Sequence, residues 1–429
     1  MSEPLHVAKS DEEFETEPVP TNRRRSLLSV ASVWAGFPMI ITGAVTGATL
    51  VHGLGFGRGL LAIVIGNLML FAYVGTLSAL AAKRGVNFSL QASRTFGRIG
   101  YIACSALLST LVLGWFAVQT GLVGASMSSA FAVNTVVIVL IAGALFTGFT
   151  LLGIRALSLI GAISVPLFLI LGIFAAADAA KGGSHIWRYD GDPARSIAFG
   201  TGITLVFALF ADSGTMTADF TRWAKNSRHA WLATASAFPV ANVVAMLIGG
   251  VVAAASRTSS GDIFGIIVNR GGFLTVVAVA FLFINLGSVC AHCLYNSAIG
   301  WSTIFKGRMR SLTLVLGALG IVIAALGIWN YFINWLNLLG VIVPPIGMII
   351  LVDQAFLRRG DDVETPQVRW QPFAAWAIAS GIALAVNYLT PGLSAALTGL
   401  VCAAIAYWLF SLIPTSKSTP VAVAVAAAE

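Results

Sequence analysis

Residues 196–221 read SIAFGTGITLVFALFADSGTMTADFT, an apolar stretch that small and polar residues interrupt near its middle. About 20 apolar residues are enough for a helix to cross a bilayer, so the stretch predicts a membrane span. The interrupting residues, ADSGT at 211–215, are mostly poor helix formers, and we expect the helix to break near Asp212. Backbone groups freed by a break at membrane depth must line a cavity or be buried in protein. The stretch therefore predicts a solute or ion site.

A second apolar stretch, residues 28–51, carries Gly36-Phe37-Pro38 in its first half. Proline removes a backbone donor and glycine weakens a helical turn, so this span is also expected to break. The two interrupted spans are five spans apart, and an odd number of spans reverses the second copy in the membrane. The spacing predicts an inverted five-helix repeat with a site at the breaks. Either break alone is equally explained by packing, because glycine and proline are common in membrane helices.

The composition supports a membrane protein. The chain has 429 residues, of which 58% are hydrophobic and 10% charged, and its mean hydropathy is +0.89. Soluble domains carry about 25% charged residues, so this chain lacks the polar surface of a soluble domain. Its long continuous apolar runs differ from the alternating strands of an outer-membrane barrel. We expect an all-α polytopic membrane protein with no second soluble domain.

Apolar runs bounded by charged or turn residues predict about 12 transmembrane helices. These predicted spans are 28–51, 59–82, 100–127, 134–153, 156–177, 196–221, 230–255, 272–302, 311–327, 329–352, 372–390 and 393–413. The predicted organisation is a disordered cytoplasmic tail (1–27), a transmembrane transporter domain (28–413) and a cytoplasmic C-terminal tail (414–429). Within the domain, 28–177 is the first repeat, 196–352 the inverted second repeat, and 372–413 two extra helices.

Basic residues set the predicted orientation. If the N-terminus is cytoplasmic, the outer loops hold only six of the 25 Lys and Arg residues: Arg58, Lys181, Arg188, Arg195, Arg257 and Arg270. Membrane proteins concentrate basic residues on the cytoplasmic side, so both termini are expected there, in a bacterial-type inner membrane. The acidic first 27 residues lack the apolar core of a signal peptide. In a membrane protein the location of the basic residues says more than their sum, so the net charge of +8 does not imply nucleic-acid binding.

Asp212 is a carboxylate expected near the membrane midplane. A charged residue there costs about 2.5 to 3.5 kcal/mol on insertion scales, so it should face a cavity, bind a cation, pair with a solute or stay protonated. The alternative is a neutral carboxyl that is hydrogen-bonded to backbone at the helix break.

Trp115 and Gln119 stand four residues apart on one helical face and pair an aromatic ring with an amide, while Phe210 could supply a second ring. That combination suits a planar, amide-like solute, although each aromatic alone is also explained as a core or lipid-facing residue.

Two further helices carry polar groups. In the eighth span, Asn285, Ser288 and His292 form a stripe that should face the interior, either as a site or in hydrogen bonds between helices. In the tenth span, Asn334 and Trp335 precede the Pro344-Pro345 pair and could form a gate, although aromatic residues near span ends also serve as interfacial anchors. The cysteines fall in apolar runs and are expected to be packing residues, so we expect no metal beyond a possible Na⁺ site and no cofactor.

Several segments together resemble a known family. They are Val19-Pro20, Ile65-Gly66-Asn67-Leu68, Gly114-Trp115-Phe116, Gly214-Thr215-Met216-Thr217-Ala218-Asp219-Phe220, Leu294-Tyr295 and Pro344-Pro345. The sequence is similar over about residues 19–413 to the nucleobase:cation symporter-1 family, in its cytosine permease branch. The resemblance implies the inverted-repeat fold of amino-acid/sodium symporters, often called LeuT-like, and alternating access. It also implies import of a purine or pyrimidine base with a monovalent cation by a monomeric unit in the lipid bilayer.

The resemblance assigns Trp115 and Phe210 to two rings that sandwich the base, and Asn285 to an amide that reads its edge. Cytosine carriers of the family place a glutamine one turn before the span-three tryptophan, where this chain has Val112. The amide here is Gln119, one turn after the tryptophan, as in hydantoin-type relatives. The base is therefore left open by the sequence.

The resemblance also implies a sodium site. It would use backbone carbonyls around Gly36, Phe37 and Met39 together with two adjacent hydroxyls in the eighth span, which here read Ser288-Val289. One ligand is missing, while Asp212 stands where the cytosine carriers have a serine. His292 lies near the same stripe. The coupling ion is therefore either H⁺ or Na⁺.

Other functions are compatible with parts of the pattern. A passive facilitator or channel would need only the polar stripes, and an amino-acid symporter could use the same fold. A membrane-bound enzyme is not expected, because the sequence shows no acid/base pair, metal cluster or nucleophile motif in one position. The phosphate-binding signature of ATP-driven pumps is also absent from the sequence.

Overall fold

The computed structural model describes Phe14 and residues 17–181, 185–258, 261–357 and 366–413, with the backbone alone for 154–158. All regular elements in this part of the chain are helical, apart from an isolated parallel β-bridge between Arg25 and Ala224. The all-helical prediction is confirmed. The C-terminal tail at 414–429 and most of the first 16 residues lie outside the described ranges.

The first five spans follow the predicted boundaries closely. They are Leu27–Gly36 with Ile41–Leu54 (span 1), Phe56–Arg84 (span 2), Tyr101–Phe131 (span 3), Thr135–Leu151 (span 4) and Ile154–Ala180 (span 5). Span 1 is broken as expected, and its two halves meet at an angle of 55°. Ile40 has extended backbone angles (φ −129°, ψ 155°) at the break.

The second set of five spans repeats this order. They are Phe199–Ala208, Ala211–Thr215 and Ala218–Thr221 (span 6), Ser227–Ser256 (span 7), Phe273–Phe305 (span 8), Met309–Ala325 (span 9) and Ile328–Leu357 (span 10). Span 6 is broken, as predicted, but its main interruption falls at Leu209-Phe210, just before the expected position. Two more spans follow, Trp370–Leu389 (span 11) and Ala395–Ser411 (span 12).

Among the described residues, seven helices are long and apolar enough to cross a membrane, or eight when the bent span 1 is included. Shorter apolar helices occupy the four remaining predicted spans, namely 4, 6, 9 and 12. Spans 2 and 7, 3 and 8, and 4 and 9 pack against each other, which pairs equivalent members of the two repeats. The twelve-span, inverted-repeat architecture is confirmed.

Spans 1 and 7 approach closely through glycine. A Cβ atom at Gly249 would lie 1.8 Å from the backbone oxygen of Ala44, and one at Gly47 would lie 2.0 Å from that of Met246. Any side chain at either position would therefore separate the two helices. The contact joins the second half of span 1, Ile41–Leu54, closely to span 7.

Two short helices were not expected from the sequence. Phe88–Phe96 follows span 2, and Ile263–Val268 follows span 7, so both occupy the same place in their repeats. Each is capped by a polar side chain, because Asn87 accepts a hydrogen bond from Leu90 N and Asp262 from Gly265 N. The first is rich in polar residues and the second is only six residues long, so neither has the length and composition of a span.

Residues 17–26 pack against the bundle, and we call the end of the bundle that they cover the inner end. Val19 is only 1% exposed, and its N–H donates to Gly85 O at the end of span 2 (2.8 Å). Arg24 Nη1 donates to Ala82 O (2.7 Å), and Arg25 N to Trp223 O after span 6 (2.7 Å). These contacts show that residues 17–26 are packed, which corrects the predicted disordered tail over this stretch. The physical reason is that its basic side chains and backbone satisfy carbonyls left free at helix ends.

A buried ion pair also ties helices together at the inner end. Arg369, just before span 11, contacts the Asp353 carboxylate at the end of span 10 (3.0 Å). Tyr407 in span 12 donates to the same carboxylate (2.6 Å), and so does Thr95 in the helix Phe88–Phe96 (2.8 Å). Four elements therefore share one buried carboxylate.

Candidate functional site

A cavity lies where the breaks of spans 1 and 6 face spans 3 and 8. Its lining residues are Phe37, Ile40, Trp115, Gln119, Leu209, Phe210, Ser213, Val289 and Cys293. Its volume is about 10 Å³, which is close to the room one water molecule needs. A larger solute can enter only if side chains move apart. The location at the two breaks agrees with the prediction made from the sequence.

Trp115 and Gln119 form the span 3 wall of this cavity. The Gln119 Nε2 donates to Thr42 Oγ1 in span 1 (2.9 Å). The Gln119 Oε1 and the Trp115 Nε1 are buried without a hydrogen-bond partner in the described part of the chain. Burying unpaired polar atoms is costly, so a native structure needs a reason to keep them. A solute with one donor and one acceptor would satisfy both.

Aromatic rings surround the break in span 6. The Phe210 ring centre lies 5.4 Å from that of Phe37 and 5.5 Å from that of Phe238, and both pairs are tilted. Trp115 meets Phe332 of span 10 edge to face at 6.0 Å. Trp115 and Phe210 both line the cavity, so the two rings singled out from the sequence lie together. Their sandwiching of a base stays a prediction.

Asp212 lies directly behind the cavity wall. Its side chain is fully buried, and its Oδ1 accepts from Ser213 N (2.7 Å) while its Oδ2 has no partner among the described residues. The Trp115 side chain is its neighbour. Ser213, the next residue, reaches the cavity instead. The carboxyl is thus positioned at the helix break, with one oxygen held by backbone and one unpaired.

Asn285 is held by the break in span 1. Its Oδ1 accepts from Ile41 N (2.9 Å), and its Nδ2 donates to Met39 O (2.8 Å) and to Ser164 Oγ in span 5 (2.9 Å). The amide thereby satisfies backbone groups that the break leaves free. Asn285 is not among the cavity-lining residues, so its predicted contact with a base would require these bonds to be exchanged.

The other polar residues of span 8 also turn toward span 1 and span 5. Ser288 Oγ is buried, has no partner in the described residues, and faces Gly161 of span 5, which packs on Gly36. His292 Nδ1 is bonded to Ser288 O (2.8 Å), and its ring lies 5.6 Å from that of Phe37. Gly36 and Ser288 therefore both lie near Gly161, while Phe37 contacts His292; the ion site itself stays a prediction. The Met39 carbonyl, however, is already engaged by Asn285.

The predicted gate residues are separated by the structure. Trp335 is half-buried and packs on Gly114, next to the cavity tryptophan, whereas Asn334 is exposed on the outside of the bundle. Pro344 begins the second helix of span 10, Pro344–Leu351, and is buried. A gating role for Trp335 and Pro344 stays a prediction. The predicted gate role of Asn334 is not supported, because its side chain is exposed on the outside of the bundle.

Sequence reasoning missed several cavity residues. Cys293 was expected to be a packing residue, and Ser213, Ile40 and Val289 were not assigned to the solute site. The signal for Cys293 was available, because it stands four residues after Val289 on the same helical face. The described residues contain no group of three or more His, Cys, Asp or Glu side chains that could hold a metal.

The fold and this site define a class of protein. A multi-pass inverted repeat with a buried, partly polar cavity at two broken helices is the architecture of secondary transporters.

The chain belongs to the family of permeases for cytosine/purines, uracil, thiamine and allantoin, whose sequence model matches residues 18–409. It is 29% identical over 414 residues to the cytosine permease of Escherichia coli strain K12, covering 95% of this chain and 96% of that protein. The cytosine permease of Escherichia coli O157:H7 matches at the same identity and coverage. Family membership assigns the chain to permeases rather than enzymes.

Solved structures show the same fold. Mhp1, a nucleobase-cation-symport-1 family transporter in a closed conformation with bromovinylhydantoin bound, superposes with a TM-score of 0.79 at 20% identity, covering 93% of this chain and 96% of that chain. A Na⁺-coupled sialic acid symporter superposes with a TM-score of 0.61 at 12% identity, covering 91% and 90%. These likenesses confirm the predicted LeuT-like fold.

Proposed function

We propose that this protein imports a nucleobase together with a cation by alternating access. The observation that carries the proposal is the cavity at the two helix breaks, where Trp115 and Gln119 offer a buried donor, a buried acceptor and an aromatic face. A planar base presents adjacent donors and acceptors on its edge and a π-face above and below. The named cytosine permeases and the family description support the same class of solute.

The site favours a base over an amino acid. Phe37, Phe210 and Trp115 surround the cavity with aromatic surface, and stacking of a base on an aromatic side chain is worth about 1 to 3 kcal/mol. Gln119 would read the edge of the base, whereas Asp212 lies behind the cavity wall and would reach the base only after side chains move apart. An amino acid would instead require free backbone amides at the span 1 break to bind its carboxylate. The Ile41 amide there is already bonded to Asn285.

The coupling cation is proposed to be H⁺, with Na⁺ as the competing candidate. One cation moving down a membrane potential supplies about 2.3 kcal/mol per 100 mV, enough for roughly fiftyfold accumulation with either ion. The available ligands distinguish the two ions. Sodium requires several oxygen ligands, and Val289, next to Ser288, has no side-chain oxygen to offer. Asp212, with one unpaired oxygen at the span 6 break, is suited to carry a proton.

The orientation and assembly are part of the same proposal. We infer that the inner end of the bundle faces the cytoplasm, that both termini lie there, and that the membrane is a bacterial-type inner membrane. The distribution of basic residues and the bacterial relatives support this assignment. A single chain contains both repeats and the whole cavity, which supports a monomeric transport unit.

Uptake into proteoliposomes tests the proposal. Purified protein is reconstituted with an imposed membrane potential and a labelled base, and unlabelled cytosine, hypoxanthine, uracil, hydantoin and leucine are added as competitors in sodium or choline buffer. We expect concentrative uptake that one or more bases suppress and leucine does not. Uptake that survives collapse of all ion gradients would indicate a passive facilitator. Competition by leucine alone would indicate an amino-acid symporter.

A further inference from the structure

A group of unpaired polar atoms lies in the interior, outside the cavity described above. Asn296 in span 8 is completely buried, and both its Nδ2 and its Oδ1 lack a hydrogen-bond partner in the described part of the chain. The hydroxyl of Ser297 in span 8 and that of Ser109 in span 3 are also buried without a hydrogen-bond partner among the described residues. A buried amide with neither atom bonded is costly and uncommon, since most buried polar side-chain atoms have at least one partner.

The position of Asn296 follows from the face of span 8 on which it lies. Val289, Cys293, Asn296 and Gly300 are spaced by four, three and four residues and so share one helical face. The first two line the central cavity, while Gly300 lies against Ser109 of span 3. Asn296 therefore occupies the strip that runs from the cavity floor toward the inner end.

The polar strip continues beyond Gly300. Ser105 stands one turn before Ser109 in span 3, and its hydroxyl is bonded to that of Ser89 in the inner helix Phe88–Phe96 (2.8 Å). Polar groups thus extend from the cavity along the contact between spans 3 and 8 to the inner end of the bundle. A solute leaving the cavity in that direction would meet Asn296 first.

We propose that Asn296 and Ser109 form a second, intermediate binding site for the transported solute on its way from the central cavity to the inner end. This inference rests on the proposed function. The ligand class is a planar base or cyclic amide, because the Asn296 side chain offers a donor and an acceptor side by side. Such an edge-on pair matches the donor and acceptor pattern of a base.

Met216 lies at the Gly300 and Ser109 end of the proposed site. Its Cε lies close to Gly300, beside the Ser109 hydroxyl, and the residue belongs to the segment after the span 6 break. Methionine is flexible and fills irregular space, so it can leave without disrupting a rigid packing contact. Movement of the inner part of span 6 away from spans 3 and 8 would uncover Asn296 and connect it with the cavity.

Three variants test the inference. Asn296→Leu and Ser109→Ala remove the unpaired groups with little change of volume. Ser302→Ala is the matched control, because Ser302 is buried in the same span but its hydroxyl is bonded to Ile299 O. Equilibrium binding of the base is measured in detergent by quenching of tryptophan fluorescence, and transport by the rate of exchange in proteoliposomes.

We expect Asn296→Leu to leave the dissociation constant within twofold while the exchange rate falls about tenfold, which corresponds to about 1.4 kcal/mol. Ser109→Ala should reduce the rate about fivefold, and Ser302→Ala should change neither quantity. Asn296→Leu should also raise the melting temperature, because two unpaired buried atoms are removed. A variant that is more stable and binds normally but transports slowly is not explained by a structural role.

Other outcomes overturn the inference. An exchange rate for Asn296→Leu within twofold of the parent shows that the solute does not use this amide. A fall in binding as large as the fall in rate places Asn296 in the central site instead. If Asn296→Leu does not fold, Ser109→Ala decides by the same comparison of binding and rate. Failure of the parent protein to bind or exchange any base contradicts the proposed function itself, which distinguishes the two failures.

Discussion

Replacement of Asn285 by alanine separates two roles that sequence and structure give to this residue. The substitution removes three hydrogen bonds, to Ile41 N, Met39 O and Ser164 Oγ. An interhelical hydrogen bond in a membrane protein contributes about 0.6 kcal/mol on average and about 1.7 kcal/mol at most, so losing three costs about 2 kcal/mol and no more than about 5 kcal/mol. The span 1 break would then lack the groups that hold it.

Thermal unfolding in detergent measures this cost. A change of 1 kcal/mol shifts the melting temperature by about 2–4 °C in proteins of 150–250 residues and by less in longer chains, so we expect Asn285→Ala to lower it by a few degrees. Ser164→Ala removes one of the three bonds and should have about a third of the effect. Asn285→Asp keeps the acceptor for Ile41 N and should fall between the parent and the alanine variant.

Binding of different bases shows which role dominates. If Asn285 holds the break, affinity should fall by the same factor for bases with and without an exocyclic amine, because the whole cavity is disturbed. An unchanged melting temperature together with a selective loss for amine-bearing bases would refute the structural role. That result would show that Asn285 exchanges its backbone partners for the base.

Five further substitutions, one of them a control, have expected outcomes. Trp115→Ala should weaken base binding about tenfold, in line with a stacking contribution of about 1 to 3 kcal/mol, and a dissociation constant within twofold of the parent would contradict this. Asp212→Asn should abolish the rise of uptake with falling external pH at fixed membrane potential, whereas saturable stimulation of the parent by sodium would argue against proton coupling. Gly249→Val should prevent close contact of spans 1 and 7 and lower the melting temperature, while Gly148→Ala, whose Cβ would meet nothing within 4 Å, should leave it unchanged. Asp353→Asn should destabilise the inner end by leaving a buried arginine without its counter-charge, and an unchanged melting temperature would contradict that reasoning.

The sequence was sufficient for the spans and for the two helix breaks beside which the cavity lies. Hydrophobic length and helix-breaking residues are local properties, so the twelve spans and the breaks near Phe37 and Asp212 could be recognised directly. The helical spacing of Trp115 and Gln119 likewise put both residues on one face, and the structure brings them into one cavity.

Features that depend on contacts between distant segments could not be predicted in this way. Nothing around Asn285 in the sequence indicates that its amide binds backbone 244 residues away. Cys293 looked like an apolar packing residue, because the meeting of spans 3 and 8 with the two breaks decides which face lines the cavity. Asn334 was predicted to be a gate residue because it precedes the Pro344-Pro345 pair, whereas the rotation of span 10 turns it outward.

The segment before span 1 has a mechanical consequence. Its backbone is bonded to Gly85 at the end of span 2 and to Trp223 after span 6, and Arg222 Nη1 reaches across to Phe14 O (2.6 Å). Residues 17–26 therefore act as a strap between two helix ends that would otherwise be free to separate. The inner opening that the proposed alternating access requires between those ends would have to stretch or release the strap. The sequence of residues 17–26 would then help to set how readily that opening occurs.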